Sequence, residues 1–215
     1  SGMFGLGNLT GIDMPGERPG IMPSREWKQG AKQEAWFNGD TINVSIGQGF
    51  MLTTPLQLAV MSARIASKGK LLKPQLVKSI DGVATQPVEV RESINMSDEY
   101  WDYVHKAMRD VVHSPRGTAK GISNGLNYEI AGKTGTAQVI SISAEDEYDS
   151  SKIDKSQWDH ALFVAFAPMD DPQIAVGLIV ENGEHGSSAA APIARLVIDE
   201  YMKSKSKQSQ IIANN

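Results

Sequence analysis

Residues 161–180, ALFVAFAPMDDPQIAVGLIV, hold two apolar runs of seven residues, 161–167 and 174–180, separated by Pro168-Met169-Asp170-Asp171-Pro172. Seven residues is strand length and short for a helix. Proline with aspartate is turn chemistry, so the stretch predicts an antiparallel hairpin. A lone hairpin is marginal in water and needs further strands or a helix against its apolar side. Just upstream, residues 130–140, IAGKTGTAQVI, read as an extended segment interrupted by Lys133-Thr134-Gly135-Thr136. Alternate side chains of a strand share a face, so Thr134 and Thr136 project together while Lys133 points to the other side and reaches around the strand end. Two hydroxyls and an ammonium can grip a carboxylate, Gly135 leaves room, and a backbone N–H beside them can meet a developing oxyanion. The bare tripeptide Lys-Thr-Gly is a weak signal, and its weight comes from the rest of the chain.

Working outward, three helices carry the apolar spacing that would cover such a sheet. Thr53-Thr54-Pro55 supplies a cap and a proline at the first helical position, Leu56, Ala59, Val60 and Ala63 share a face, and Gly69 marks the stop, giving a helix over about residues 55–68. Ser97 caps a second helix through Val112, with Tyr100, Val104, Met108, Val111 and Val112 on one face and Asp98 and Glu99 suited to the positive end of its dipole. A third begins at Ala189, with Pro192 in its first turn; residues 205–215 are expected to fray into a flexible tail. Residues 4–20, FGLGNLTGIDMPGERPG, have no regular period and predict an ordered loop, after which Ser24 starts a short helix. Residues 73–80 read as a strand, Asp81-Gly82 as a turn, and residues 88–90 as its returning partner. A short helical turn is expected after Gly117, and residues 141–159, with Glu145-Asp146-Glu147, predict an exposed, solvated loop.

Composition narrows the function classes. Twenty-one basic against 25 acidic residues give a net charge of −4 and no basic stripe, which argues against a nucleic-acid partner. The absence of cysteine removes disulfides, thiol catalysis and cysteine–zinc sites. No run approaches the ~20 apolar residues of a membrane span. His105, His113, His160 and His185 show no ligand spacing, so no metal and no other cofactor is expected, and Trp27, Trp36, Trp101 and Trp158 read as packing anchors.

Several blocks, in order, resemble the class B penicillin-binding proteins: Gly11-Ile12-Asp13-Met14-Pro15-Gly16-Glu17, Gly39-Asp40-Thr41-Ile42, Ile46-Gly47-Gln48-Gly49 and Thr54-Pro55-Leu56-Gln57-Leu58-Ala59. Gly132-Lys133-Thr134-Gly135-Thr136-Ala137-Gln138 follows, then Phe166-Ala167-Pro168 and Val180-Glu181-Asn182-Gly183. Met22-Pro23-Ser24-Arg25-Glu26-Trp27-Lys28 looks most like the cell-elongation branch, with the septal enzymes the nearer rival. The resemblance implies an α+β fold, an antiparallel sheet flanked by helices as in serine β-lactamases, with the strands of Lys133, Phe163 and Val176 side by side. It implies a D,D-transpeptidase that cross-links peptidoglycan stem peptides through a serine ester and is inhibited by β-lactams. Lys133 would orient the site and attract the D-Ala-D-Ala carboxylate, Thr134 and Thr136 would bind it, Gly135 would line the same strand, and the Thr136 N–H would form half of the oxyanion hole.

The family's active-site set is S-x-x-K, S-x-N and K-T-G. Ser67-Lys68-Gly69-Lys70 and Ser204-Lys205-Ser206-Lys207 match the first in letters, at a helix end and in the tail, and Ser93-Ile94-Asn95 matches the second on the wrong side of the first block. Residues 1–204 are therefore expected to be the C-terminal part of a transpeptidase domain whose nucleophile lies upstream of Ser1, inactive alone and prone to self-associate. The parent would have an upstream anchor, sit on the periplasmic face of the bacterial inner membrane and work with the elongation machinery, including a membrane glycan polymerase. A noncatalytic β-lactam sensor and a serine β-lactamase are the other readings, which the upstream sequence separates.

Overall fold

The computed structural model describes residues 2–85, 89–140 and 149–213. The helices are α1 (Arg25–Lys32), α2 (Asn38–Ser45), α3 (Pro55–Ala66), α4 (Asp98–His113) and α5 (Ala191–Ala213). The strands are β1 (Lys70–Leu72), β2 (Ser79–Ile80), β3 (Val83–Ala84), β4 (Glu89–Ser93), β5 (Ala131–Ala137), β6 (His160–Ala167) and β7 (Ile174–Val180). The predicted hairpin is β6–β7, and β5 joins it to form an antiparallel sheet in the order β5-β6-β7. This is the α+β arrangement the blocks implied.

The sheet is covered on both faces. Ala161, Phe163 and Ala165 on one face pack with Ile130, Val112, Ile122, with Ala190 in the turn before α5, and with Ala191, Ala194 and Ile198 of α5, all buried. On the other face Phe166 and Ala131 pack with Ala66 of α3 and Met108 of α4. Fully burying one such phenylalanine is worth about 1.5–3 kcal/mol. Gly177 lets α3 lie directly on β7: a Cβ there would come within 2.6 Å of the Ala59 nitrogen and 2.8 Å of the Pro55 oxygen.

Local signals set the helix ends. The Thr54 hydroxyl accepts from the Gln57 N–H at 3.1 Å, and the Gln57 side-chain oxygen accepts from the Thr54 N–H at 2.9 Å, a reciprocal cap. Buried Gln57 also donates to the Asn8 and Pro19 carbonyls at 2.8 and 2.6 Å, so one carboxamide clamps both arms of the irregular loop of residues 4–20 onto α3. Ser24 caps α1 through the Trp27 N–H at 3.1 Å, as its position predicts. A single 3-10 turn, Lys120–Ile122, follows Gly117.

Other expectations are corrected. The strand over residues 73–80 shrinks to β2, which turns at Asp81-Gly82 into β3, while β4 pairs with β1 instead; residue 88 lies outside the described residues. The cause is long-range: the Asp13 carboxylate accepts from the Leu76 and Val77 N–H groups at 2.6 and 3.0 Å, removing them from any ladder, and Pro74 has no N–H to give. The buried stripe of α4 is Trp101, His105, Met108 and Val112, and Tyr100 is 62% exposed, so the face is rotated from the one the spacing predicts. Trp101 decides this by packing edge-on to Phe4 and beneath Gly69, and His105 is tolerated inside because its Nε2 meets the Ile65 carbonyl at 2.8 Å. Of the loop expected to be exposed, residues 141–148 lie outside the described residues, and residues 149–159 end in a half-buried Trp158 and a buried Asp159. Helix α5 continues to Ala213, so residues 205–213 of the stretch expected to fray are helical, and residues 214–215 lie outside the described residues.

Candidate active site

The start of β5 is pinned from two helices. His113, in the last turn of α4, accepts the Ile130 N–H on Nε2 at 3.1 Å, and Arg109 pairs with Glu129. From α5, Arg195 donates to the Ile122 and Asn124 carbonyls and to Asp199, which accepts from the Tyr128 hydroxyl. These contacts fix the chain on its way into the sheet, so the residues that follow are presented on a rigid element.

Along β5, Thr134 is opposite Phe163 and Thr136 opposite Ala161. An antiparallel strand sends the N–H and C=O of alternate residues to the same edge. The Thr134 carbonyl accepts from the Lys133 ammonium at 2.7 Å, and the Thr136 carbonyl accepts from the Gln48 side chain at 2.9 Å. Thr134 and Thr136 are therefore the residues whose backbone groups line the outer edge of the sheet. Lys133 and Thr136 are exposed, and Thr134 and Gly135 half-buried. Gly135 lets β5 lie tightly beside β6, since a Cβ there would meet the Leu162 Cβ at 3.2 Å, and Gly186 lies against its backbone, where a Cβ would be 2.8 Å from the Gly135 oxygen.

Lys133, Thr134, Gly135 and Thr136 thus lie along the edge strand β5, with two neighbours whose roles the sequence reading missed. Thr118 places its hydroxyl 3.1 Å from that of Thr134. The only signal was Gly117, which permits the tight return of the chain onto α4: a Cβ there would be 2.3 Å from the Val111 oxygen. Gln48 stood in a quoted block without a role. Behind β5 a cavity of about 370 Å³ is lined by Leu6, Met51, Leu58, Met61, Gly135 and Leu162. The serines that match S-x-x-K in letters lie elsewhere. Ser67 caps α3, donating to the Ala63 carbonyl at 2.8 Å beside Ile174, at the end of the sheet remote from Thr136, while Lys68 pairs with Asp102. Ser204 bonds the Tyr201 carbonyl within α5, and Ser93 sits in β4.

Burial of the His113 ring pushes its pKa below the ordinary histidine value. The folded pKa is then lower than the unfolded one, so the unfolded chain binds the proton more readily. The stability tied to neutral His113 is complete above about pH 6.5 and is lost as pH falls through the folded pKa. Melting temperatures measured from pH 8 to 5 are expected to decline below about 6.5, and His113→Ala to flatten that decline at the cost of roughly 1 kcal/mol for the lost contact. An unchanged pH slope in the variant would take His113 out of the pin.

The family model for the penicillin-binding protein transpeptidase domain matches residues 2–199. The chain is 43% identical over 218 aligned residues to the peptidoglycan D,D-transpeptidase MrdA of Acinetobacter baumannii, covering 99% of this chain and 32% of that protein. To MrdA of Escherichia coli K12 it is 39% identical over 205 residues, covering 94% and 32%. Its structure resembles the crystal structure of Pseudomonas aeruginosa PBP2 in complex with WCK 5153, with TM-score 0.78, 43% identity, and coverage of 93% of this chain and 42% of that one. It also resembles PBP2 of Helicobacter pylori in its complex with MreC, with TM-score 0.75, 29% identity and coverage of 93% and 34%. The chain spans about a third of the length of the curated relatives it matches, 32% for both MrdA proteins named. With the β5-β6-β7 sheet, its covering helices and the Lys-Thr-Gly edge in place, the chain belongs to the penicillin-binding protein transpeptidase domain family.

Proposed function

We propose that this chain is the part of a peptidoglycan D,D-transpeptidase that holds the donor peptide, and that the serine nucleophile is none of its own serines. The observation that carries this reading is the outer edge of β5, where the backbone groups of Thr134 and Thr136 lie beside the Lys133 ammonium and, among the described residues, are unpaired by any strand. A peptide ending in D-Ala-D-Ala adds to this edge as a strand, its carboxylate on the Thr134 and Thr136 hydroxyls and near Lys133, its reacting carbonyl oxygen on the Thr136 N–H. The serine Oγ forms a bond to that carbonyl carbon, the bond to the terminal D-Ala nitrogen breaks, and the amine leaves with a proton. An acceptor amine then takes the acyl group and frees the serine. β-Lactams enter by the same geometry, presenting a strained amide carbonyl and a carboxylate.

The reading extends to the whole protein through its relatives. PBP2 of Helicobacter pylori is known in complex with MreC, and another similar structure belongs to a peptidoglycan synthase complex that coordinates polymerization and crosslinking. The parent of this chain accordingly works with the elongation machinery and a glycan polymerase at the periplasmic face of the inner membrane, held by an anchor outside these residues; none of the described helices is long and apolar enough to cross a bilayer.

The test is labelled penicillin followed by intact-mass measurement. The 215-residue chain is expected to gain no adduct, and the full-length parent one. An adduct on any serine here, Ser67 above all, would overturn the claim that the nucleophile comes from outside, and no adduct on the parent would overturn the transpeptidase reading itself.

A further inference from the structure

Gln48 lies between α2 and α3, 88 residues from the strand it touches. Its carboxamide meets the β5 edge as a strand residue would: Nε2 donates to the Thr136 carbonyl at 2.9 Å, and Oε1 accepts from the Gln138 N–H at 3.4 Å. Thr136 C=O and Gln138 N–H are the two backbone groups an added peptide would need in order to continue past Thr136.

The placement is built. Gly47 and Gly49, on either side of Gln48, hold φ of +77° and +74°, a conformation that side chains disfavour, and the Gln48 N–H donates to the Asn43 carbonyl at 2.9 Å. The turn is fixed to α2, and α2 to α1, by Lys28, which is 3% exposed, pairs with Asp40 at 2.7 Å and lies 4.8 Å from the Phe37 ring centre and 5.7 Å from that of Phe50. Asp40 also accepts the Phe37 N–H at 2.7 Å, so the segment that aims Gln48 is tied at several points.

We infer that Gln48 is a specificity-determining residue that ends the β-ladder at Thr136, so that this edge reads one residue of a donor peptide and turns the chain before it away from β5. The inference rests on the transpeptidase reading. In antiparallel pairing the reacting residue, opposite Thr136, gives its carbonyl to the Thr136 N–H and its N–H to the Thr136 carbonyl. That carbonyl has a second lone pair and can accept from both the peptide and Gln48. The next ladder position, at Gln138, has its N–H taken by Gln48. The donor recognised is therefore a peptide whose C-terminal end is held by backbone pairing and whose preceding residues are held by other means. Extending the donor on its N-terminal side adds no backbone bond to β5.

Two measurements decide it. In the 215-residue chain, Gln48→Ala should speed hydrogen exchange at the Gln138 amide; an unchanged rate would mean that Gln48 does not hold the edge. In the full-length enzyme, acylation by a series of thioester donors differing only in N-terminal peptide length should show wild-type rates that stay nearly level with length. Gln48→Ala should favour the longer donors by roughly 2- to 12-fold relative to the shortest, the worth of one added backbone hydrogen bond. The same length ratio in variant and wild type would overturn the role in specificity even with the Gln138 amide exposed. If no donor acylated the enzyme, the transpeptidase reading would fall and this role with it, while the exchange rates would still report whether the contact exists.

Discussion

Replacing Lys133 with alanine in the full-length protein is expected to lower the second-order rate of acylation by β-lactams by roughly a hundredfold or more, the scale on which one preorganised electrostatic group acts in a transition state. The side chain is exposed, its ammonium rests on the Thr134 carbonyl at 2.7 Å, and neither core cluster includes it. The substitution removes charge and no packing, so the melting temperature should move little, within the about 0.5 kcal/mol typical of surface changes. Pairing the two measurements separates mechanism from folding. A slowed acylation with an unchanged melting temperature supports the role. Unchanged acylation would remove Lys133 from the chemistry, and a large fall in stability would make it a structural residue. Lys133→Arg is a useful companion, because guanidinium keeps the charge while changing its shape and reach.

The second large effect concerns the opposite edge of the sheet. Among the described residues β7 pairs only with β6, and all seven of its residues are partly exposed. Helix α5, which packs on the same sheet, leaves Ile193, Leu196 and Val197 44%, 67% and 47% exposed. An apolar strand with open N–H and C=O groups is a template for pairing with another chain. The 215-residue chain is therefore expected to self-associate. Sedimentation over about a hundredfold range of concentration should show mass rising with concentration, and the amides of residues 174–180 that face away from β6 should become protected as it does. A monomer at every concentration, with those amides already protected, would mean that the edge is covered within the chain. Leu196→Lys, at a side chain 67% exposed on α5, serves as the control for association through the uncovered helix face.

How much of this was legible beforehand depended on the distance over which each feature is satisfied. The β6–β7 hairpin, the Thr54–Gln57 cap and the Ser24 cap were legible because their partners lie within a few residues, and a propensity or a side-chain oxygen is visible in the local string. The strand expected over residues 73–80 was not, because its fate was set by Asp13, some 60 residues earlier, whose carboxylate takes the N–H groups of Leu76 and Val77. The buried face of α4 was misread for a related reason: the spacing allows several faces, and Trp101 and His105 are chosen by Phe4 and by the Ile65 carbonyl.

For the site, the sequence by itself determined where the proposed chemistry is placed: Lys133, Thr134, Gly135 and Thr136 are consecutive, and the alternation of a strand dictates how they divide between its two sides. It determined the family too, because ordered blocks of residues survive without coordinates. Tertiary structure alone decided which edge of the strand is open, that Thr118 stands beside Thr134, and that Gln48 closes the ladder beyond Thr136. Those facts depend on contacts between segments 16 and 88 residues apart, whose meeting is fixed by the packing of α3, α4 and α5 on the sheet and leaves no period in the sequence.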